Sequence, residues 1–382
     1  MSPGRAAYPS GGDYPRLARR LGLGDAVVIG LGSMIGAGVF AAFTPAAAAA
    51  GSGLLVGLAL AAAVAWANAT SSAQLAAQFP ESGGTYVYGR ECLGESWGFA
   101  AGWAFVVGKT ASCAAMAITA ATYALGGEAR AAQVVGLAVV GALTVVLTRG
   151  ITKTARLARV LLTVTLACLL VTVLVIAAFT REWAAPWAGV GDATAYGILQ
   201  SAGLLFFAFA GYARIATLGE EVRAPTVTIP RAITRALGLV IALYAVLALL
   251  FLATIGADGI AASALPLLTA AQAADVSWAG VFVRVGATVA ALGALLGLLS
   301  GVGRTVLAMA RRGDLPRLLA AVDPGSKVPA VAQLWVAGAV AVLVLLTDLR
   351  HAIGFSSFGV LLYYAIANAS AWTQTGEHRR WP

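Results

Sequence analysis

Ten apolar stretches, separated by short polar or turn-rich segments, run along the chain at residues 25–48, 54–78, 97–125, 131–148, 157–180, 194–218, 233–256, 278–311, 329–347 and 351–373. Most exceed the roughly 20 residues that a helix needs to cross a bilayer. The pattern predicts an all-α polytopic membrane protein with ten transmembrane helices. The first stretch carries an interruption. In Gly32-Ser33-Met34-Ile35-Gly36-Ala37-Gly38-Val39-Phe40, three glycines fall within seven residues, and each costs about 1 kcal/mol relative to alanine inside a helix. In hydrocarbon, a backbone N–H or C=O that loses its helical partner is costly unless something polar replaces it. A spanning helix broken at mid-membrane is therefore a candidate binding site for a small polar solute or an ion.

Composition leaves little room for a soluble domain: of 382 residues, 60% are hydrophobic and 11% charged, against roughly 25% charged in a soluble domain. The formal charge of +9 would suit nucleic acid, but its placement points elsewhere. With the N-terminus inside, most Lys and Arg fall on the cytoplasmic side. The clusters are Arg149, Lys153, Arg156 and Arg159, then Arg311, Arg312 and Arg317, whereas Arg130, Arg181 and Arg350 fall outside. That asymmetry is a topology signal. It predicts a multi-pass protein of the cytoplasmic (inner) cell membrane with both termini in the cytoplasm and no nucleic-acid partner. Arg16, Arg19 and Arg20 before an apolar run imitate a cleavable leader. The run is much longer than the roughly 7 to 15 apolar residues of a leader, so an uncleaved first span is expected. Cys92, Cys113 and Cys168 lie in or beside spans without paired spacing and imply neither disulfide nor metal.

Ten spans divide into two sets of five, and an odd number per set inverts the second half relative to the first. The expected organisation is a tail at 1–24, a first five-helix repeat at 25–180, an external connection at 181–193, a second repeat at 194–373 and a tail at 374–382. Inverted repeats hold a site at their interface, marked by interrupted spans in corresponding positions. The counterpart of the first break is Phe206-Phe207-Ala208-Phe209-Ala210-Gly211-Tyr212. Among the loops, Phe79-Pro80-Glu81-Ser82-Gly83-Gly84-Thr85-Tyr86 reads as a re-entrant or surface-lying connection, and Ile229-Pro230-Arg231 as the opening of the seventh span.

Four features occur in a telling order: the glycine-broken first span, the Phe79–Tyr86 segment, Gly219-Glu220-Glu221-Val222-Arg223-Ala224-Pro225, and Ala308-Met309-Ala310-Arg311-Arg312-Gly313-Asp314-Leu315-Pro316. With them, the chain from about Leu21 to Ala371 resembles the amino acid/polyamine/organocation permeases, particularly their cationic-amino-acid-transporter-like bacterial branch. The resemblance implies a LeuT-type 5+5 inverted repeat, helices 1 and 6 unwound at mid-membrane, and secondary transport of amino acids by alternating access. It places the substrate carboxylate on N–H groups around Gly36, Ala37 and Gly38, and the ammonium on carbonyls near Ser33 and Met34. Exposed N–H groups at a half-helix N-terminus do attract anions. The gating aromatic falls on Phe207, with Phe209 and Gly211 lining the sixth-span break. Three departures stand out: the family commonly has twelve spans, the fifth-span lysine of proton-coupled members aligns with Thr165, and a sixth-span acid is here Ala213.

Lys109 lies inside the third span, where an ionisable side chain costs on the order of 3 kcal/mol on insertion scales. It is a candidate for contacting substrate or for carrying a coupling proton; a lysine bonded to backbone carbonyls is the plainer reading. Arg214 is likewise interior and is expected to reach Glu220, Glu221 or the interface, and Arg304 is read as structural. Thr165 and Ser300 are candidate sodium ligands. With Lys109 nearby and no carboxylate deep in any span, a neutral or acidic amino acid is favoured over a cationic one. Beyond a coupling proton or sodium ion no cofactor is expected. Two readings stay open beside transport of this kind: a non-transporting amino-acid sensor, and a polyamine or cationic amino acid transporter. An enzyme is disfavoured, since His351 and His378 lie near span ends and no His, Cys or carboxylate cluster lies in the bilayer.

Overall fold

The computed structural model of the chain describes residues 21–80, 83–125, 129–149, 151–219, 221–326 and 328–376. Arg16, Arg19, Arg20, Glu81, Ser82, Glu220 and His378 lie outside the described residues, as do the side chains of Ala37, Arg130, Lys153 and Arg350. The first apolar stretch is built from α1 (Leu23–Met34), α2 (Ala37–Ala41) and α3 (Phe43–Ala50). Next come α4 (Leu54–Gln78), α5 (Thr85–Leu93), α6 (Glu95–Leu125), α7 (Ala129–Thr148) and α8 (Ile151–Phe179). The second half holds α9 (Ala195–Phe209), α10 (Ala213–Ala216), α11 (Pro225–Ala262), α12 (Pro266–Ala273), α13 (Gly280–Arg311), α14 (Ala330–Leu346) and α15 (Leu349–Trp372). Among the described residues the regular structure is entirely helical, apart from one isolated bridge between Leu21 and Val222.

Among the described residues, eight helical segments are long and apolar enough to cross a membrane, and two shorter apolar helices, Leu23–Met34 and Ala330–Leu346, accompany them. The expected ten thus become eight by length. Two causes are local: the break ends α1 after 12 residues, and α14 stops at 17. A third is continuity, because α3 passes into α4 through a short turn in which Gly51 adopts φ 55°. The seventh span also departs from expectation. Pro225, not Pro230, occupies the first turn of α11, and Pro230 lies inside the helix. A kink at Gly256 (φ 67°, ψ 174°) separates the predicted span from a continuation to Ala262.

Helices in hydrocarbon gain little from burying apolar surface against each other, so they associate through close packing of small residues and interhelical hydrogen bonds. The contact of α6 with α15 shows both. A Cβ on Gly359 would meet Ala104 O at 2.9 Å and Gly108 Cα at 3.0 Å, and one turn away the Ser112 and Ser356 hydroxyls lie 2.5 Å apart. Between α4 and α15, Asn368 donates to Asn68 at 2.6 Å and Gln374 to Gln78 at 2.5 Å. Leucine, valine and tryptophan side chains such as Leu170, Val246 and Trp372 face outward instead, as a lipid-facing surface requires.

Ionic contacts gather where α5 meets the end of α13. Asp314 accepts from Tyr86 at 2.6 Å and from Arg90 at 2.9 Å, and Arg312 pairs with Glu91 at 2.8 Å. Burial, then the bond to Asp314, pushes the Tyr86 phenol above its ordinary range. Asp25 at the start of α1 pairs with Arg159 of α8. Leu21 N–H donates to Glu221 O at 3.0 Å and Arg223 N–H to Leu21 O at 2.9 Å, which ties the start of α1 to the α10–α11 connection.

The α6–α15 crossing gives a direct test. Gly359→Val should lower stability by roughly 1–3 kcal/mol through overpacking, read as a lower unfolding temperature of the purified protein in detergent. Gly141→Ala, where a Cβ meets nothing within 4 Å, should leave it unchanged or raise it, since alanine is the better helix former.

Candidate functional site

Only one of the three glycines between Gly32 and Phe40 breaks the helix. Gly32 stays inside α1 and Gly38 inside α2, whereas Ile35 (φ −79°, ψ 82°) and Gly36 (φ −146°, ψ −135°) leave helical geometry. Ala42 keeps helical angles between α2 and α3, so residues 37–50 act as one half-helix whose first N–H groups face the break. The sixth span breaks more gently than expected. It does not unwind; residues Ala210–Tyr212 tighten into a 3₁₀ turn between α9 and α10. Such a mid-helix turn still frees carbonyls from the i+4 ladder.

The two breaks touch through their backbones. A Cβ on Gly211 would stand 2.3 Å from Ser33 O and 2.6 Å from Met34 N. Glycine is therefore required at 211 to let one break lie on the other. Gly38 serves a different contact: its missing side chain admits Ala208 of α9, at 2.5 Å from a built Cβ. Gly36 is lodged against Ala294 and Met116, at 2.4 and 2.9 Å. Substituting either glycine disturbs helix packing before it touches any solute.

The freed carbonyls have protein donors. Tyr244 of α11 directs its hydroxyl at Met34 O (2.7 Å) and Ala208 O (3.1 Å), bridging the two broken spans. Lys109 Nζ donates to Ala210 O at 2.9 Å, and Tyr364 approaches the same oxygen at 3.4 Å. Tyr123 donates to Phe40 O at 3.0 Å. Gly36 N–H turns back to Met34 O at 3.0 Å, which leaves Ala37 and Gly38 as the N–H groups that open α2.

Of the residues expected at the site, Ser33, Met34, Gly36, Gly38, Lys109, Phe207, Phe209 and Gly211 all lie on or against the two breaks, and all are buried. Phe209 packs on Tyr244 with ring centroids 5.1 Å apart, and Phe206 edge-on against Tyr364 at 5.9 Å. The proposed ion ligands fare differently. Thr165 donates to Leu161 O of its own helix at 2.9 Å, and Ser300 accepts from the guanidinium of Arg214 at 3.3 Å. A guanidinium on Ser300 opposes a sodium ion there. Arg214 is bonded to Thr217 and Ser300, not to Glu221, which pairs with Arg304 at 2.6 Å. Sequence reasoning does not single out Tyr123, Tyr244 and Tyr364. Tyrosine is ordinary at a membrane interface, so the usable signal was the position of Tyr244 and Tyr364 at the middle of an apolar run; Tyr123, at the end of one, gave none.

A cleft of about 540 Å³ opens elsewhere, lined by Thr180, Arg181, Glu182, Trp183 and Asp275 among others, none of them in either break.

Two interrupted helices thus touch through their backbones inside a bundle of apolar helices. The amino acid permease family matches residues 21–382, and the chain belongs to that family. An uncharacterized transporter of Mycobacterium tuberculosis is 60% identical over 365 residues, covering 94% of this chain and 82% of the relative. The branched-chain amino acid permease of Bacillus subtilis is 27% identical over 350 residues (86% and 74%). A vacuolar cationic amino acid transporter of Arabidopsis thaliana is 29% identical over 380 residues, covering 93% of this chain and 59% of its own length. The chain is thus a transporter and not an enzyme.

The donors at the breaks are testable without knowing the cargo. Tyr244→Phe strips Met34 O and Ala208 O of their hydroxyl and should cost roughly 1–3 kcal/mol, measured by thermal unfolding in detergent. Tyr88→Phe removes a buried hydroxyl that has no partner and should be neutral or stabilising.

Proposed function

We propose that this permease is a secondary active transporter that carries a neutral or acidic α-amino acid across the cytoplasmic membrane by alternating access, with its site where the two breaks meet. The observation that carries this reading is the backbone contact of Gly211 with Ser33 and Met34. It supports a ten-helix LeuT-type arrangement in which spans 1 and 6 belong to opposite inverted halves, N- and C-termini in the cytoplasm. In this reading the α-carboxylate accepts from the N–H groups of Ala37 and Gly38 at the head of the 37–50 half-helix, where aligned peptide dipoles favour an anion. The ammonium takes the Ser33 carbonyl, and Phe207, backed by Phe209, closes over it as the gate.

Lys109 sets the selectivity. It is 3% exposed, its ammonium sits on Ala210 O, and no described carboxylate is bonded to it. A cationic substrate side chain reaching the sixth break meets a like charge in a low dielectric, where repulsion is strong; a neutral or acidic one does not. The same ammonium is the group most able to carry a coupling proton, because Ser300 is occupied by Arg214.

Uptake of labelled amino acids into proteoliposomes, with and without proton or sodium gradients, tests the whole reading. Neutral or acidic amino acids should compete best and a proton gradient should drive accumulation. Strongest competition by arginine or a polyamine would overturn the selectivity argument, and saturable binding without counterflow would identify a sensor. Lys109→Gln should lose gradient-driven accumulation while keeping substrate counterflow, since the amide still donates to Ala210 O but carries no proton. Unchanged accumulation would remove Lys109 from the coupling role.

A further inference from the structure

One turn beyond the breaks lies a charged cluster that the site does not use. Arg214 (4% exposed), Arg304 (5%) and Glu221 (1%) are buried together. Arg214 donates to Thr217 Oγ1 at 2.6 Å and to Ser300 Oγ at 3.3 Å, and Arg304 to Glu221 Oε1 at 2.6 Å. Arg304 is near enough to Arg214 for their positive charges to act on one another. Among the described residues the cluster therefore holds two cations and one anion.

The hydrogen bonding is incomplete in a matching way. Arg214 Nε and Arg304 Nη1 are buried with no acceptor, and the Ser300 hydroxyl accepts from Arg214 while its own proton has no described acceptor. The Arg214 side chain packs directly against α13 where residue 301 is glycine. A Cβ there would stand 3.1 Å from Arg214 Cδ and 3.8 Å from Nε. Removing a charge from water without compensation costs several kcal/mol, and leaving buried guanidinium donors unpaired adds to that. Surplus donors and a surplus positive charge at one place are what a small anion would neutralise. Glu221 Oε2, itself without a partner, competes with such an anion for the same two guanidinium groups.

The location gives the cluster a use. Arg214 follows Gly211, which touches Ser33, by three residues, and Ser300 follows Gly297, whose built Cβ would meet Ser33 Oγ at 2.6 Å, by the same interval. Three residues are about 5 Å along a helix. We propose that Arg214 and Arg304, with Ser300, form a binding site for a small monovalent anion, a halide or a carboxylate, one turn from the contact of the two breaks. The carboxylate source rests on the amino acid reading above: a substrate leaving the break presents its carboxylate to Arg214 next. The halide source does not depend on it.

Binding of radiolabelled chloride to the purified protein tests the site. Chloride should bind saturably and be displaced by bromide and by acetate. Arg214→Gln should weaken binding by about tenfold or more, the loss of one charged hydrogen-bonding partner. Glu221→Gln should tighten it, because the competing carboxylate is gone while the amide still accepts from Arg304. That gain keeps the test valid even if the Arg214 variant fails to fold. No saturable chloride binding to the folded protein, or binding indifferent to both substitutions, would overturn the proposal and leave water as the partner of these groups. Displacement by the transported amino acid but not by its methyl ester identifies the substrate carboxylate as an occupant; displacement by halide and acetate alone identifies a separate anion. Labelled amino acid uptake by the same preparation separates the two readings. Chloride binding without uptake removes the transport assignment only, and uptake without chloride binding removes the anion site only.

Discussion

The structure depends on one constraint, that a backbone polar group freed inside hydrocarbon must find another partner. Breaking two helices frees carbonyls at Met34, Ala208 and Ala210, and each of these, like Phe40 O within the 37–50 half-helix, is answered by a side chain from another element. Tyr244 comes from α11, Lys109 from α6, Tyr364 from α15 and Tyr123 from α6. The break is consequently a joint property of several helices. It persists because donors on the surrounding spans make the irregular backbone tolerable, and those spans must be held in register to deliver them. Gly36 N–H is likewise turned back on Met34 O within the same break.

Register is held by small residues. The Gly211 contact with Ser33, the Gly38 contact with Ala208 and the Gly108–Gly359 crossing each need a missing Cβ. In each case the glycine admits backbone or a short side chain from a neighbouring helix, giving dispersion contacts over a wide area. The helix-weakening cost of glycine, about 1 kcal/mol per residue, is offset by what close approach allows. Gly32 and Gly38 show how far context overrides propensity, since both remain helical within a segment rich in glycine.

Much of the helical framework was legible because span length and hydropathy are coarse properties, set by bilayer thickness. The position of the first break was legible for a related reason: three glycines in an apolar run are hard to explain otherwise. Its fine structure was not. Which glycine leaves the helix depends on Ala294, Met116 and Ala208 packing from other elements, and no local signal carries that. Pro225 and Pro230 were equally hard to rank, since either satisfies a first-turn rule and only the left-handed Ala224 (φ 45°) before Pro225 selects between them. Lys109 was visible as an expensive intramembrane charge, but its acceptor, a backbone oxygen, has no sequence signature. The three carbonyl-capping tyrosines were hidden for the same reason, being polar atoms on large apolar rings.

The geometry also says which parts are fastened together. Gly211 rests on Ser33, Tyr244 joins Met34 O to Ala208 O, and Leu21 pairs with both Glu221 and Arg223. The first and sixth broken spans are thus fastened to one another at the break and again at the end of α10, with α11 holding both. Their attachments to the other helices are of both kinds: Gly36 is lodged against Ala294 and Met116 and Gly297 against Ser33, beside polar contacts of Asp25 with Arg159, Glu221 with Arg304, Arg214 with Ser300 and Ala210 with Lys109. A polar contact can exchange partners without repacking a core, whereas the glycine contacts cannot separate without opening a void.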